Sequence, residues 1–588
     1  MNERQFGARL TTDGACFRLW APAAKRVDLL LDNPQPMQRG DDGWFSADIA
    51  GVEAGARYKF RIDDEIDVPD PASAFQPDDI PGPSEVIDHG AYRWRASDWR
   101  GRPWQDAVLL ESHVGTFTPE GTYRAMIDKL DHLVATGITA LELMPLADFA
   151  GSRNWGYDGV LWYAPDSAYG RPDDLKALID EAHLRGLMVF LDVVYNHFGP
   201  EGNYLGRYAP DFFTEAQTPW GSAIDYRVPE ARDFAIGNAL HWLREYRFDG
   251  LRLDAVHAIV QLGEVSMLDE LSRAVGDLAV ETGRHIHLVL ENDDNIAGVL
   301  DAEQDPPHGS YRAQWNDDYH HAWHVLLTGE RHGYYSDYAK SPLQDIARAL
   351  GSGFVYQGEP SPHRDGALRG EPSGHLTPLA FVNFVQNHDQ IGNRALGDRL
   401  EGTAKSEATE AALTILLLAP MVPMLFMGEE WGSKAPFPFF CDFEGDLAEA
   451  VRNGRRKEFA GAYAEHGDDV PDPLEASTTE SAVLDWDSRD QASGRQRLAL
   501  VRDLLTIRRE KIMPQLAGAV FGEAHAADNG LLTAHWRMGD GAMLRLDANL
   551  SNDEIRPPEI EPTGLPIWGG EIAGMMPTWS VFWRLDSR

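Results

Sequence analysis

The feature that most constrains this 588-residue chain is a repeated order of strand, loop and helix that begins near Ala107. The helical segments are amphipathic, as over 173–185, where apolar residues recur at spacings of three and four. Eight apolar segments are predicted strands, at 108–113, 139–144, 187–194, 248–254, 287–291, 311–315, 381–385 and 423–427. Apolar strands that alternate with helices predict a parallel sheet covered on both faces, and eight such units predict an α/β fold, a closed (β/α)8 TIM barrel with insertions.

An open, doubly wound sheet is the alternative fold for the same pattern. It is disfavoured because the chain has no glycine-rich strand-to-helix fingerprint. Polar clusters also follow many different strands, which is how a barrel arranges its functional residues.

Both ends of the chain carry short alternating segments separated by Gly, Pro and Asp turns, a pattern typical of antiparallel β-sandwiches. We therefore predict an N-terminal β-sandwich over 1–95, the barrel over 96–513 and a C-terminal β-sandwich over 514–588. A helix over 498–509 is expected to close the barrel. The N-terminal sandwich could bind a ligand or brace the barrel, and bracing is favoured.

The chain is strongly acidic, with 53 Lys and Arg against 93 Asp and Glu and a net charge of −40. That charge disfavours nucleic acid and anionic membrane surfaces as partners and is compatible with a neutral substrate. The two cysteines, Cys16 and Cys441, are far apart and have no metal or redox spacing, which favours a reducing compartment. With no signal pattern and no uninterrupted apolar span, we expect a cytoplasmic protein. No cluster of carboxylates calls for a metal ion, so we expect no metal and no cofactor.

Two strand ends carry carboxylates that suit acid–base chemistry. Arg252 and Asp254 share one face of a strand, because side chains alternate with period two. A guanidinium at that distance keeps a half-buried carboxylate ionised and lowers its pKa by about 1–3 units, as a nucleophile requires. Glu291 ends another apolar run without a dedicated cation, so burial would raise its pKa and let it hold a proton. Either residue alone would more often be a helix cap, but the pair suits glycoside hydrolysis.

Four strand ends carry the same kinds of polar residue, and in a parallel barrel all of them open onto one face. They are Asp192 with Asn196 and His197, Arg252 with Asp254 and His257, Glu291, and His388 with Asp389. Asp389 is better placed to bind sugar hydroxyls than to attack a substrate. A single histidine at such a place would more often be structural. Three histidines beside strand-end carboxylates favour function instead, so we predict a substrate site here.

These segments resemble, one by one, the sequence blocks of the α-amylase family of glycoside hydrolases, as DVVYNH, GLRLDAVH, a strand-end Glu and NHDQ. The resemblance implies Asp254 as nucleophile, Glu291 as general acid/base and Asp389 as stabiliser of the transition state. It implies substrate-binding roles for Arg252, Asp192, Asn196, His197, His257, His388 and, as an aromatic platform, Tyr157. The implied mechanism is retaining, with the two reacting carboxyl groups about 5–5.5 Å apart.

Within the family, the segments at 17–22, 291–295, 328–337, 386–393, 428–432 and 436–442 resemble members that act on an α-glucan oligosaccharide with a trehalose end. Such enzymes cut the α-1,4 bond next to that end and release trehalose, and a synthase that forms the end is the implied functional partner. Aromatic faces and carboxylates suit glucose rings, so we predict that Trp155, Trp431, Phe439 and Asp442 hold the trehalose end. Filling a loop core is an equally good explanation for Trp431 and Phe439, which lie in the insert 431–443.

Two alternative functions stay open. The chain could be a branching or debranching enzyme of the same family, although the 436–442 segment and NHDQ fit those enzymes less well. It could also be a non-catalytic glycan-binding relative, which the intact set of Asp254, Glu291 and Asp389 disfavours. The helix predicted over 447–465 carries a cluster of arginines that we expect to be an ordinary solvated face.

Overall fold

The computed structural model describes residues 6–218, 221–259, 266–301, 311–558, 563–572 and 574–586, and eight parallel strands form a closed barrel at its centre. The strands are Leu109–Ser112 (β1), Ala140–Leu143 (β2), Met188–Val193 (β3), Gly250–Leu253 (β4), His287–Leu290 (β5), Tyr311–Trp315 (β6), Phe381–Asn383 (β7) and Val422–Phe426 (β8). All eight match predicted segments, so the predicted barrel is confirmed.

The barrel interior has an apolar layer below and a charged layer above. Leu109, Ala140 and Met188 belong to one buried apolar cluster. Two residues further along β1 and β2, Glu111 lies opposite Glu142. Asp192 of β3 likewise lies opposite Arg252 of β4. Because residues two apart on a strand share a face, the charged layer continues the barrel's filling toward the carboxyl ends of the strands, where barrel sites lie.

Glycine is required at the base of β4. A Cβ at Gly250 would lie 2.2 Å from the Phe190 ring, so only glycine lets that ring fill the barrel centre.

α-Helices connect the strands and cover the barrel. The helices between and after the strands are Tyr123–Ile127, Leu130–Thr136, Pro172–Leu184, Pro229–Glu245, Met267–Thr282, Asp317–Thr328, Pro342–Ser352, Ser406–Leu418 and Ala492–Ile507. The loops add Val114–Phe117, Leu205–Tyr208, His388–Gly392, Leu400–Thr403, Gly445–Glu458, Ala460–His466 and Ala476–Ser481. Three short hairpins pair Ala147–Asp148 with Leu161–Pro165, Phe213–Thr218 with Gly221–Ile224, and Glu359–Pro360 with Leu368–Arg369.

Two helices differ from their predicted bounds. The closing helix, Ala492–Ile507, begins six residues earlier than predicted and continues into a π-turn at Arg508–Ile512. There the buried Arg508 donates to the carbonyls of Leu417, Ala419 and Met421, contacts that no local pattern records. The helix predicted over 447–465 is two helices that meet at Phe459.

The N-terminal region is a sandwich of two antiparallel sheets, as predicted. One contains Gly7–Leu10, Gly14–Trp20, Gln38–Arg39 and Trp44–Ala50, and the other Val27–Leu30, Pro34–Pro36, Arg57–Ile62, Ile66–Val68 and Ser84–Glu85.

The sandwich packs directly on the loops and helices of the barrel. Trp20 meets Phe212 with ring centroids 5.4 Å apart, and Phe6 meets Phe234 at 5.0 Å. The Asp79 carboxylate accepts from the backbone nitrogen of Gly151 at 3.0 Å. These contacts agree with a bracing role.

The C-terminal region is a single five-stranded antiparallel sheet in the part of the chain that the structure describes, rather than the predicted pair of sheets. Its strands are Val520–Ala526, Leu531–Arg537, Met543–Asn549, Leu565–Trp568 and Ser580–Asp586. A barrel helix, Pro342–Ser352, packs on this sheet, and Trp536 donates to the carbonyl of Leu350 at 2.9 Å. The barrel thus supplies the layer that a second sheet would have formed. Among the described residues, no helix combines the length and apolarity that crossing a membrane requires.

Candidate active site

Arg252 is the centre of the charged layer. Its Nη1 donates to Asp254 at 2.7 Å and to Asp192 at 2.9 Å, and its Nη2 donates to Glu291 at 3.1 Å. The guanidinium also lies over the Trp315 ring, 4.1 Å from the centroid. One fully buried cation therefore holds three carboxylates in a fixed arrangement, which a planar guanidinium with several donors can do.

The predicted contact between Arg252 and Asp254 is confirmed, but the prediction that Glu291 has no cation partner was wrong. Glu291 shares the guanidinium and also accepts from the backbone nitrogen of Ala255 at 2.7 Å. Ala255 has a left-handed backbone, with φ of 41°, which is strained for a residue with a side chain. This backbone conformation, at the residue directly after Asp254, points the Ala255 N–H at Glu291.

The two carboxyl groups have opposite pKa shifts even though they share a cation. Burial alone would raise the pKa of Asp254, but the charge of Arg252 and hydrogen bonds from Asn196 and Arg252 outweigh it and lower that pKa. Burial raises the pKa of Glu291 well above its usual range, and Asp254 adds to the rise while Arg252 opposes it. The site thus places a carboxyl group with a lowered pKa beside one with a raised pKa, the division of roles that acid–base catalysis with a nucleophile needs.

Asp192 binds the predicted aromatic platform. The Tyr157 hydroxyl donates to Asp192 at 2.6 Å, and the Tyr157 ring is stacked on His388 with centroids 5.0 Å apart. Burial raises the pKa of Asp192 to about 7, against the opposing charge of Arg252.

His388 is fixed by Glu111, which the sequence analysis did not single out. The Glu111 carboxylate accepts from the backbone nitrogen of His388 at 2.9 Å and bonds its Nδ1. Burial lowers the pKa of His388, but the Glu111 charge outweighs that effect and the pKa is raised. The Glu111 carboxylate therefore favours the charged form of the imidazole next to Asp389.

The remaining predicted binding residues on the third and fourth strand ends lie around Asp254. Asn196 donates to the Asp254 carboxylate at 2.8 Å, and its own carbonyl oxygen bonds Nδ1 of His197. Nε2 of His197 bonds the carbonyl of Tyr157 at 3.0 Å. His257 is exposed at the rim, where Nδ1 accepts from the backbone nitrogen of Asp293 at 3.3 Å.

Asp389 is the first-turn residue of the short helix His388–Gly392. Asn393 donates to its Oδ1 at 2.6 Å. Burial raises the pKa of Asp389, with His388 and Arg252 opposing the rise. The structure therefore brings the three predicted catalytic carboxyl groups, Asp254, Glu291 and Asp389, around Arg252 and His388.

The four residues predicted to hold a trehalose end fall in different places. Trp155 meets His388 edge-on at 5.4 Å, and Phe439 meets Trp155 at 5.2 Å, so both adjoin the site. Trp431 is not brought to it, because its ring is buried against His132 and Trp486 and its Nε1 donates to Ser488.

Asp442 links two loops. It accepts from the backbone nitrogen and the hydroxyl of Ser152, both at 3.0 Å, and pairs with Arg153.

Sequence reasoning missed three residues of the site, Glu111, Trp315 and Asp317. Glu111 and Trp315 lie on strands that were predicted, and Asp317 begins the helix after β6. Burial raises the pKa of Asp317 to about 7, and Asp293 and Asp389 add to the rise. A charge within an apolar strand was the available signal for Glu111. In the described parts of the chain, no group of three or more His, Cys, Asp or Glu side chains could hold a metal ion.

Gly392, on the helix that carries Asp389, packs against the Trp155 ring. A Cβ there would lie 1.9 Å from the Trp155 ring, so Gly392→Ala is expected to destabilise the protein by about 1–3 kcal/mol and to lower turnover. Gly454→Ala is the control, because nothing lies within 4 Å of that Cβ and alanine favours a helix by about 1 kcal/mol. Thermal unfolding measures both changes. Equal midpoints for Gly392→Ala and the unchanged protein would contradict this packing.

Comparisons with known proteins agree with the three-part architecture. The family described as "Alpha amylase, catalytic domain" matches residues 91–220. Carbohydrate-binding module 48, the isoamylase N-terminal domain, matches 5–73, and a domain of unknown function, DUF3459, matches 520–583.

Two relatives that match most of this chain carry the same name. A malto-oligosyltrehalose trehalohydrolase from Deinococcus radiodurans is 43% identical over 84% of this chain and 81% of its own length. One from Saccharolobus solfataricus is 39% identical over 86% and 87%. A crystal structure from Salmonella typhimurium, provisionally named an α-amylase, is 45% identical and superposes with a TM-score of 0.93 over 99% of this chain and all of that one.

Proposed function

This chain belongs to the malto-oligosyltrehalose trehalohydrolases, glycosidases of the α-amylase family, and we propose that Asp254 and Glu291 carry out its trehalose-releasing reaction. The observation that carries the proposal is the sharing of Arg252 by these two carboxyl groups, one with a lowered pKa and one with a raised pKa. The bond cleaved is the α-1,4 bond next to the trehalose end. The products are trehalose and a maltooligosaccharide.

In the first step, Glu291 gives its proton to the glycosidic oxygen while an oxygen of Asp254 attacks the anomeric carbon. The bond between that carbon and the leaving oxygen breaks, trehalose departs with the proton, and a glycosyl ester forms on Asp254. In the second step, Glu291 takes a proton from water, the water oxygen attacks the anomeric carbon, and Asp254 leaves as a carboxylate. Two displacements at one carbon retain its configuration.

The shared guanidinium is compatible with this retaining course. Its two terminal nitrogens bond Asp254 and Glu291 at 2.7 and 3.1 Å, so the two carboxyl groups lie close to each other. A retaining pair needs a separation of about 5–5.5 Å, whereas an inverting pair leaves a wider gap of about 6.5–9.5 Å for water.

The other residues would bind the sugar at the point of cleavage. Asp389 and His388 suit a pair of sugar hydroxyls, because a carboxyl acceptor and an imidazole donor can bond adjacent hydroxyls, and such bonds strengthen as the transition state forms. Tyr157, stacked on His388 and bonded to Asp192, would offer its ring to the sugar face.

The setting of the enzyme is also part of the proposal. Its substrate needs a synthase that places a trehalose unit at the end of an α-glucan, and we propose that the two enzymes act in sequence in the cytoplasm. Both cysteines are free thiols, which agrees with a reducing compartment.

A product assay tests this function. The protein is incubated with maltooligosyltrehalose and, in parallel, with a maltooligosaccharide of equal length. We expect release of free trehalose from the first and slow attack on the second, and NMR of fresh product should show the α-anomer of the new reducing end. Equal cleavage of both substrates, or transfer into branches, would contradict the trehalose assignment and favour a branching or debranching enzyme.

A further inference from the structure

We infer that Arg455, from the segment after the eighth barrel strand, is a positioning residue for Asp389 and that it acts through Asn393. This inference rests on the proposed role of Asp389. Arg455 lies on the helix Gly445–Glu458, which the sequence analysis treated as a solvated charged face.

Asn393 is the link between the two residues. Its Nδ2 donates to Oδ1 of Asp389 at 2.6 Å. Its own Oδ1 accepts from Nη1 of Arg455 at 3.3 Å. The amide has one donor end and one acceptor end, and Arg455 can only donate. Arg455 therefore selects the orientation of the amide in which the NH₂ group faces the Asp389 carboxylate.

Without Arg455, the Asn393 side-chain amide would no longer prefer one of its two orientations. If it turned over, its oxygen would face a carboxylate oxygen, and the two acceptors would repel each other unless Asp389 took up a proton. The Asp389 carboxylate would then lose a donor and would be free to leave the rotamer in which it faces the sugar.

The same guanidinium also fixes the end of the helix that carries Asp389. Nη2 of Arg455 donates at 3.1 Å to the carbonyl of Gly392, the last residue of the helix His388–Gly392. A cation at that end pairs with carbonyls that have no partner inside the helix. Arg455 thus bonds both the side chain that contacts Asp389 and the backbone that carries it.

Arg455 is itself held firmly. Its guanidinium lies 4.7 Å from the Phe439 ring centroid and 5.1 Å from that of Phe459, and Nη1 donates to Glu458 at 3.1 Å. Only 16% of the side chain is exposed. Its neighbour Arg456 is exposed, which makes it a matched control on the same helix.

Phe439 joins this arrangement to the aromatic residues beside the site. It packs on Trp155, which in turn closes against Gly392 and His388. The segment after the eighth strand therefore contacts the helix of Asp389 in two ways. The Arg455 guanidinium bonds it directly, and Phe439 packs on Trp155, which touches Gly392.

The test compares steady-state kinetics of Arg455→Met, Arg455→Lys and Arg456→Met on maltooligosyltrehalose. We expect Arg455→Met to lower kcat by up to about a hundredfold with a smaller change in KM, because a misplaced group costs the transition state most. Arg455→Lys should recover part of the loss, and Arg456→Met should match the unchanged enzyme. Equal kcat for Arg455→Met and Arg456→Met would overturn the inference.

A double variant shows whether Arg455 works through Asn393. If it does, Arg455→Met should lower kcat by a smaller factor in the Asn393→Ala background, where only the bond to the Gly392 carbonyl remains to be lost, than in the unchanged enzyme. Fully multiplicative losses would overturn the proposed link. Asp389→Asn is measured in the same series: full activity in that variant would overturn the proposed role of Asp389, whereas an inactive Asp389→Asn beside an unaffected Arg455→Met would overturn only the inference.

Discussion

Asp254→Asn is expected to lower turnover on maltooligosyltrehalose by on the order of 10⁴-fold or more while the fold stays intact. An amide oxygen is too weak a nucleophile to form the glycosyl ester. The fold should survive because Arg252 keeps Asp192 and Glu291 as partners, at 2.9 and 3.1 Å. Trehalose release in single-turnover experiments measures the loss, and circular dichroism measures the fold.

The matched control for this variant is Asp131→Asn, an exposed aspartate on the helix Leu130–Thr136 whose carboxylate pairs with Arg185. That exchange should leave turnover within about twofold, since a surface pair contributes little. Activity of Asp254→Asn within tenfold of the unchanged enzyme would sink the assignment of the nucleophile.

The same variant carries a pH signature in stability. The pKa of Asp254 is lowered in the folded protein, so its ionised form stabilises the fold above the unfolded pKa, and this contribution is lost as the pH falls through the folded pKa. The difference in unfolding midpoint between the unchanged protein and Asp254→Asn should therefore be largest near neutral pH and shrink in acid. A difference that grows in acid would contradict the lowered pKa.

Glu291→Gln is expected to lower turnover on maltooligosyltrehalose by about 10²–10⁴-fold. Glutamine cannot protonate the leaving trehalose or activate water. With α-maltosyl fluoride, whose leaving group needs no proton, the first step should be much less impaired and the glycosyl ester on Asp254 should accumulate. Mass spectrometry of the quenched enzyme detects that ester.

The pH profile separates Glu291 from Asp254. Because the pKa of Glu291 is raised, the unchanged enzyme should lose kcat at alkaline pH as this acid ionises, and the loss should be absent in Glu291→Gln. Glu281→Gln is the matched control, because Glu281 is exposed and its carboxylate pairs with Arg244 at 2.8 Å, and this variant should keep the alkaline loss of kcat. An alkaline loss of kcat that persists in Glu291→Gln would assign the acid to a different group.

The parts of the fold that depend on local pattern were predictable. Each barrel strand is a short apolar run bounded by loops, and such runs alternate with amphipathic helices, so the closed barrel follows from the sequence. Asp254 was predictable for the same reason, since strand period two places it beside Arg252.

The parts that depend on contacts between distant segments were not predictable. Glu291 reaches Arg252 across 39 positions of sequence, and Glu111 reaches His388 across 277. No periodicity records either contact. Nothing in the local sequence distinguishes Arg455 from Arg456. Only the break at Phe459 and the packing on Phe439 separate a partly buried arginine from an exposed one.

The seam between the N-terminal sandwich and the barrel has a practical consequence. Phe212 and Phe234 are almost wholly buried, and the rings of Trp20 and Phe6 cover them. A truncated protein that began at the barrel would expose this patch to water, and exposed aromatic patches drive self-association. Such a fragment is expected to aggregate during expression, and the sandwich would then act as a folding partner of the enzyme and not as a detachable accessory.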